Sequence, residues 1–168
     1  MRVLCVCRGN LCRSPMAAAV LRAKLAPHAP TFRVNSAGAA AWHAGDPADP
    51  MAVEALARRG YPEPRHGARR VEITDFHNVD LMLAMDLSNL AALDRIAPPG
   101  SRALRCLFHP DHEIHDPYYD GASAFDAALA LIEAAADLWL AEWLPETAAT
   151  VPGAGAAAAA GPSQRVGT

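Results

Sequence analysis

The sequence predicts an α/β fold, in which a doubly wound parallel sheet of four strands carries helices on both faces. Four apolar segments of strand length alternate with segments that have helical periodicity or helix-capping residues. This alternation is typical of parallel sheets with right-handed crossovers. The third segment, residues 80–85, is apolar without interruption after its first residue, as expected of a strand buried on both faces. A chain of 168 residues is long enough for a single domain with a sizeable core.

The elements are expected in regular succession. Strands are predicted at residues 2–7, 31–36, 80–85 and 102–108, and helices at residues 16–25, 51–59, 87–95 and from 123 onward, with a helical turn at 74–78. Ser14, Asp49 and Asp86 are candidate N-caps, because a short polar side chain can accept a backbone N–H of the first turn. In the last helix, apolar residues recur at steps of three or four and predict a core-facing stripe: Phe125, Leu129, Ile132, Ala136, Trp139 and Trp143.

The folded domain is expected to span residues 1–146. Residues 147–168 are rich in alanine, glycine and proline. They lack the large apolar side chains that would offset the entropy lost when a chain becomes ordered. We therefore expect a disordered tail without a catalytic role.

Composition argues against several classes of function. The formal net charge is −3, and no basic run with interleaved aromatic residues suggests binding to nucleic acid. No apolar segment approaches the roughly 20 residues that a helix needs to span a membrane. The N-terminus does not have the form of a signal peptide. We expect a cytoplasmic monomer.

The turn between the first strand and the first helix contains the residues that predict a catalytic anion-binding site. Cys7 and Arg13 enclose five residues, and the helix is predicted to begin at Ser14. The free N–H groups of such a turn form a cradle for an anion and favour the thiolate form of a cysteine. Arg13 can hold two phosphoryl oxygens at once. Gly9 and Asn10 tolerate a positive φ, which allows the loop to curl around one phosphate.

Two motifs resemble those of the low-molecular-weight protein tyrosine phosphatases. They are VCRGNLCRSP at residues 6–15 and DPYY at residues 116–119, and the resemblance extends to about Trp143. It implies a sheet with strand order 2-1-3-4. It also implies a phosphomonoesterase that needs no metal or other cofactor and acts on phosphotyrosine-containing proteins.

The resemblance also implies a role for individual residues. Cys7 would be the nucleophile that forms a cysteinyl-phosphate, Arg13 the phosphate clamp, and Asp116 the general acid and base. The rest of the phosphate-binding loop would be Arg8, Gly9, Asn10, Leu11, Cys12 and Ser14, with support from Ser36 and His66. The walls of the substrate pocket would be Leu11, Trp42, Tyr118 and Tyr119. Asp86 is expected to have a structural role. The family usually has proline where this chain has His115.

Some assignments stay open at the level of sequence. Ser36 also fits an ordinary strand-end serine, and Trp42 fits packing against its own scaffold. Zinc is an alternative for Cys5, Cys7 and Cys12, but their spacing is not that of usual zinc ligands. The polar tract at residues 109–116 is expected to be a solvated loop rather than a metal site.

Three other functions remain compatible with the loop. An arsenate reductase of related type would need relay thiols, and only Cys106 lies outside the N-terminal cluster. A non-catalytic anion-binding module would not need both a thiol and an acid. Relatives that act on phosphoarginine typically have threonine at the position of Leu11, an apolar residue that favours an aromatic ring instead. Phosphotyrosine is therefore the expected substrate and phosphoarginine the alternative.

Overall fold

A four-stranded sheet forms the centre of the fold in the computed structural model, which describes residues 1–145. Its strands are β1 (Arg2–Cys7), β2 (Arg33–Gly38), β3 (Leu81–Ala84) and β4 (Leu104–Leu107). All neighbouring strands are parallel and their order is β2-β1-β3-β4, which confirms the predicted topology. The tail predicted at residues 147–168 and the last residue of the predicted domain lie outside the described residues.

Within residues 1–145, five α-helices connect and cover the strands. They are α1 (Arg13–Leu25), α2 (Pro50–Arg58), α3 (Asp75–Asn78), α4 (Leu87–Ile96) and α5 (Ala122–Trp143), and a 3₁₀ turn at Ala26–His28 follows α1. Within the described part of the chain, no helix is long and apolar enough to cross a membrane.

Side chains of the central strands alternate between two separate cores. Val3 and Cys5 of β1 pack with α1, α2 and α5 on one face of the sheet. Leu4 and Val6 pack on the other face, against residues of α3 and α4. The helices therefore lie on both faces, and β3 is buried on both sides, as its uninterrupted apolar run predicts.

The predicted stripe of α5 forms much of the first core. Phe125, Leu129, Ile132 and Ala136 are fully buried. Trp139 is partly buried, and its indole Nε1 donates a hydrogen bond of 2.7 Å to the carbonyl oxygen of Phe108. Burying each large side chain contributes about 1.5–3 kcal/mol to stability, so α5 holds the sheet from one side.

Two of the three predicted N-caps are confirmed and one is wrong. Asp49 accepts the N–H of Met51 at 2.8 Å, and Asp86 accepts the N–H of Asn89 at 2.7 Å. Ser14 is not a cap, because α1 begins one residue earlier and Ser14 lies buried in its first turn. Its hydroxyl faces the loop rather than the helix end, and there it contacts Cys7.

Candidate active site

The predicted site residues meet beyond the carboxyl ends of the strands, where open α/β sheets bind their ligands. Cys7 ends β1, Asp86 follows β3, and Asp116 lies in the segment between β4 and α5. A cavity of about 340 Å³ opens at this edge. It is lined by Cys7, Arg8, Gly9, Leu11, Cys12, Trp42, His43, Asp116, Tyr118 and Tyr119.

The Cys7 thiol lies at the N-terminus of α1 among hydrogen-bond donors. The backbone N–H of Asn10 donates to Sγ at 3.3 Å, and the Ser14 hydroxyl oxygen lies 3.0 Å from Sγ. Donors of this kind stabilise a thiolate, which is the nucleophilic form of cysteine. The buried Ser14 thus contacts the Cys7 thiol and does not cap α1.

Asn10 holds the loop in its curled form. It has a φ of 60°, and its side-chain amide donates to the Ser14 hydroxyl oxygen at 2.9 Å while accepting the N–H of Arg69 at 3.0 Å. Of the two residues expected to tolerate a positive φ, Asn10 adopts one and Gly9 does not. Gly9 instead leaves room for a neighbour, because a Cβ there would lie 3.2 Å from Cδ2 of His43.

The two residues expected to support the loop behave differently. The half-buried His66 donates a hydrogen bond of 2.7 Å from Nε2 to the carbonyl oxygen of Asn10, and burial lowers its pKa. Ser36 lies on β2 opposite Cys5. Within residues 1–145 its hydroxyl makes no hydrogen bond to the loop, so the geometry supports a bracing role for His66 but not for Ser36.

Arg13 is a buried cation between two carboxylates. Its side chain is 2% exposed, and its Nη1 and Nη2 atoms each lie 2.6 Å from one oxygen, of Asp86 and Asp116 respectively. Nη1 also donates to the carbonyl oxygen of Ile114 at 2.9 Å. Burial alone would lower the pKa of Arg13, but the negative charges of Cys7, Asp116 and Asp86 raise it above its ordinary value. Nε is buried without a hydrogen-bond partner among the described residues, so one donor of this guanidinium is free.

Asp86 does more than the structural role that the sequence indicates. Burial would raise its pKa, but the N–H of Asn89, the Ser88 hydroxyl and Arg13 hold the pKa below its ordinary value. The ionised carboxylate therefore caps α4 and fixes Arg13 at the same time. Its position directly after a strand end was the signal available in the sequence.

Asp116 reaches the cavity from the segment before α5. Its side chain is 42% exposed, and one oxygen accepts the N–H of Tyr118 at 3.4 Å. His115, which replaces the family's usual proline, points into solvent, and its Nε2 lies 3.0 Å from a carboxylate oxygen of Asp120. The departure at His115 thus leaves Asp116 in contact with Arg13.

Exposed aromatic residues form the mouth of the cavity. Trp42 is 66% exposed and Tyr119 is 92% exposed, so neither is used to fill the core. The rings of Tyr118 and Tyr119 pack edge to face at a centroid distance of 4.8 Å. His43 was missed by the sequence reasoning, because a histidine in a loop of small residues gives no signal of its own. Its Nδ1 lies 3.3 Å from a carboxylate oxygen of Asp46.

The polar tract at residues 109–116 is not wholly solvated, so that prediction is partly wrong. His109 and Ile114 are buried, and Ile114 donates its N–H to the carbonyl oxygen of Met85 at 2.8 Å. These contacts anchor the segment that ends in Asp116. Over residues 1–145, no three or more His, Cys, Asp or Glu side chains are grouped to hold a metal ion.

Comparisons with known proteins agree with this geometry. The family model of the low molecular weight phosphotyrosine protein phosphatases matches residues 2–149. A protein of that name from Schizosaccharomyces pombe is 40% identical over 143 residues, which are 79% of this chain and 91% of the relative.

Two solved structures extend the comparison to the fold. Vibrio vulnificus Wzb, in complex with benzylphosphonate, aligns with a TM-score of 0.76 at 34% identity, over 84% of this chain and 97% of its own. A drosophila arginine phosphatase aligns with a TM-score of 0.80 at 31% identity, over 86% of this chain and 98% of its own. With its sheet order, its loop and these relatives, the chain belongs to the low molecular weight phosphotyrosine protein phosphatase family.

Proposed function

We propose that this chain hydrolyses phosphotyrosine in proteins through a cysteinyl-phosphate intermediate, without a metal ion. The observation that carries the proposal is the position of Cys7. Its Sγ lies at the N-terminus of α1, accepts the N–H of Asn10 and contacts the Ser14 hydroxyl. A thiolate held in this way can attack a phosphorus atom that the surrounding N–H groups orient.

In the first step, an S–P bond forms as the bond from phosphorus to the tyrosine oxygen breaks. The loop N–H groups and Arg13 hold the phosphoryl oxygens, and the unpartnered Nε of Arg13 supplies a donor that is already buried. Protonated Asp116 gives its proton to the departing oxygen, which leaves as a neutral tyrosine hydroxyl.

In the second step, water attacks the phosphorus atom and the S–P bond breaks. Asp116, now a carboxylate, takes the proton of the attacking water. The departing sulfur becomes a thiolate again, beside the Ser14 hydroxyl that contacts it at 3.0 Å. Inorganic phosphate is the second product.

The cavity walls favour an aromatic substrate. Leu11, Trp42 and Tyr118 present apolar surface to the cavity, and burying a phenyl ring against such surface is worth about 1–3 kcal/mol. The benzylphosphonate bound by Vibrio vulnificus Wzb also combines an aromatic ring with a phosphoryl-type group.

Phosphoarginine is the second candidate substrate. The observation in its favour is the fold shared with a drosophila arginine phosphatase. A guanidinium in this cavity would meet the Arg8 cation, and the carboxylate that lines the cavity, that of Asp116, is already bound by Arg13. Phosphotyrosine is the better fit.

Thiol-dependent arsenate reduction remains an alternative function. The cytoplasmic location and the monomeric state remain predictions.

Hydrolysis of p-nitrophenyl phosphate in the presence of EDTA tests the mechanism. We expect Cys7→Ser and Arg13→Ala to lower kcat by at least about 10²–10³-fold, because each removes an interaction with the transition state. Cys106→Ser is the matched control, since Cys106 lies on β4 and does not line the cavity. Radiolabelled phosphate trapped on the wild-type protein by acid quenching, and absent from Cys7→Ser, would identify the intermediate. Full activity of Cys7→Ser would contradict the mechanism. Loss of wild-type activity in the presence of EDTA would also contradict it.

A further inference from the structure

The side chain of Arg8 is a cation of the cavity wall that the proposed reaction does not use. Arg8 follows Cys7 directly, is exposed, and lines the same cavity as the thiol. The other polar side chains of the wall that could pair with a charge have partners, since the Asp116 carboxylate is bound by Arg13 and the His43 ring lies against Asp46. Within residues 1–145, Arg8 makes no ion pair with a carboxylate. Its charge is therefore available to a ligand.

Trp42 gives this cation a fixed position. The Arg8 guanidinium carbon lies 4.8 Å from the centroid of the Trp42 ring, within the range of a cation–π interaction. Trp42 is two-thirds exposed at the cavity mouth. Tryptophan and arginine are enriched among the residues that contribute most to binding energy at protein interfaces.

The backbone holds Arg8 and Trp42 together through close contact of two loops. Ala39 and Ala40, which lead to Trp42, donate their N–H groups to the carbonyl oxygens of Cys7 and Arg8 at 2.8 and 2.9 Å. Gly38 permits this approach, because a Cβ there would lie 3.0 Å from the carbonyl oxygen of Arg8. The pair is thus preorganised, which reduces the entropy lost on binding.

We propose that Arg8 and Trp42 form a subsite for an acidic residue that neighbours the phosphotyrosine in the substrate chain. The proposal rests on the proposed function, because the phosphotyrosine at Cys7 places the neighbouring residue. An extended chain advances about 3.3 Å per residue. The substrate residues that can reach Arg8 and Trp42 at the cavity mouth are therefore the first or second neighbours of the phosphotyrosine. A Glu or Asp carboxylate there accepts hydrogen bonds from the planar guanidinium of Arg8. The methylene carbons of the same acidic side chain pack against Trp42. A lysine at the same position is repelled.

Matched phosphotyrosine peptides with Glu, Gln or Lys in the neighbouring positions on each side test the subsite. We expect wild-type kcat/KM for Glu to exceed that for Gln by at least about threefold on one side, the scale of an exposed charge pair. Lys should fall below Gln. Arg8→Gln should bring the Glu/Gln ratio close to one, and Arg8→Glu should reverse the order. Because each ratio is taken within one variant, a general change in turnover cancels.

Arg95→Gln is the matched control, because Arg95 is exposed in the last turn of α4 and does not line the cavity. It should keep the wild-type ratio. A second measurement needs no variant: raising the ionic strength from about 0.05 M to about 0.5 M should reduce the wild-type Glu/Gln ratio, since salt screens exposed charges.

The outcomes separate this inference from the proposed function. Equal kcat/KM for the Glu and Gln peptides in an active wild type would overturn the subsite alone. A Glu preference that persists in Arg8→Gln, or that salt does not reduce, would also overturn it. Wild-type protein that turns over none of the phosphotyrosine peptides would overturn the proposed function and the subsite with it.

Discussion

Nη2 of Arg13 and a carboxylate oxygen of Asp116 lie 2.6 Å apart, so the proposed phosphate clamp and the proposed acid bind each other. Nη2 carries a second N–H, and Nε is buried without a partner among the described residues, so Arg13 keeps donors for a phosphoryl oxygen while it binds Asp116. In the proposed reaction, the clamp and the acid can therefore act while in contact with each other.

Asp116→Asn separates the acid role of this residue from its contact with Arg13. Poor leaving groups such as alkyl phosphates need the proton most, so their kcat should fall by about 10²–10⁴-fold. Turnover of p-nitrophenyl phosphate should fall much less, because this leaving group needs little protonation. Inhibition by inorganic phosphate should be at least as strong as in the wild type, because the amide removes a negative charge beside the phosphate site. The measurement is kcat across a series of graded leaving groups. Equal losses across the series would point to a structural role instead.

His66 should make stability depend on pH. Burial, assisted by the positive charge of Arg22 and opposed by the hydrogen bond to Asn10, lowers the pKa of His66 below its ordinary 6.5. The unfolded chain therefore binds a proton at a higher pH than the folded chain does. Well above pH 6.5 the titration of His66 does not change the free energy of unfolding. That free energy decreases as the pH falls from 6.5 toward the lower folded-state pKa.

Urea unfolding of His66→Gln between about pH 5 and about pH 8 checks this dependence. The variant should show a weaker decrease toward low pH. At neutral pH it should lose about 0.5–1.5 kcal/mol if glutamine does not restore the bond to Asn10. His115→Gln is the control, because His115 is 83% exposed. Parallel pH profiles for the wild type and His66→Gln would refute the assignment.

Cys7 and Cys12 are expected to form a reversible disulfide under oxidation. Both are free thiols that line the cavity, and burial raises the pKa of Cys12, so Cys7 is the one that peroxide attacks first. The Cys12 thiol then displaces water from the Cys7 sulfenic acid, which stops further oxidation to irreversible acids. Activity lost to peroxide should return with dithiothreitol in the wild type.

The matched comparison is Cys12→Ser against Cys106→Ser, each treated with peroxide and then with dithiothreitol. The Cys12 variant should recover less activity than the wild type, and the Cys106 variant should recover as much. Full recovery of Cys12→Ser would mean that Cys12 only packs the loop.

Leu11 should select aromatic phosphates. It lines the cavity as a partly buried apolar residue, whereas a guanidinium placed there would lose hydration without gaining a partner. We expect kcat/KM for phosphotyrosine peptides to exceed that for phosphoarginine by at least about tenfold, a difference of about 1.4 kcal/mol. Leu11→Thr should narrow this gap. Turnover of phosphoarginine by the wild type at an equal or higher rate would show that the substrate is misassigned.

Local signals in the sequence were enough for the elements and most caps. Asp49 and Asp86 cap helices through bonds to N–H groups two and three residues away, and such short-range contacts leave a clear pattern. Strand order is different, because Val6 pairs with both Ala37 and Ala84. No local pattern encodes partners so distant, and the order was expected only from the family resemblance.

The errors concern contacts that motif spacing does not specify. Ser14 is a residue type that commonly caps helices, but the curled loop places its hydroxyl against Cys7 and Asn10 instead. The bond between Arg13 and Asp116 joins residues 103 positions apart. Motif spacing could name both residues as functional, but it could not show that they contact each other.

Gly38 has a consequence for engineering this scaffold. A Cβ at this position would lie 3.0 Å from the carbonyl oxygens of both Arg8 and Ala40, and backbone atoms cannot yield without moving their loops. The glycine therefore fixes the distance between two chain segments without dictating which residue types they carry. We expect that exchanging side chains at the cavity mouth changes substrate selectivity on an unchanged backbone. Substitutions of Gly38 should lower activity, although its own atoms take no part in the chemistry.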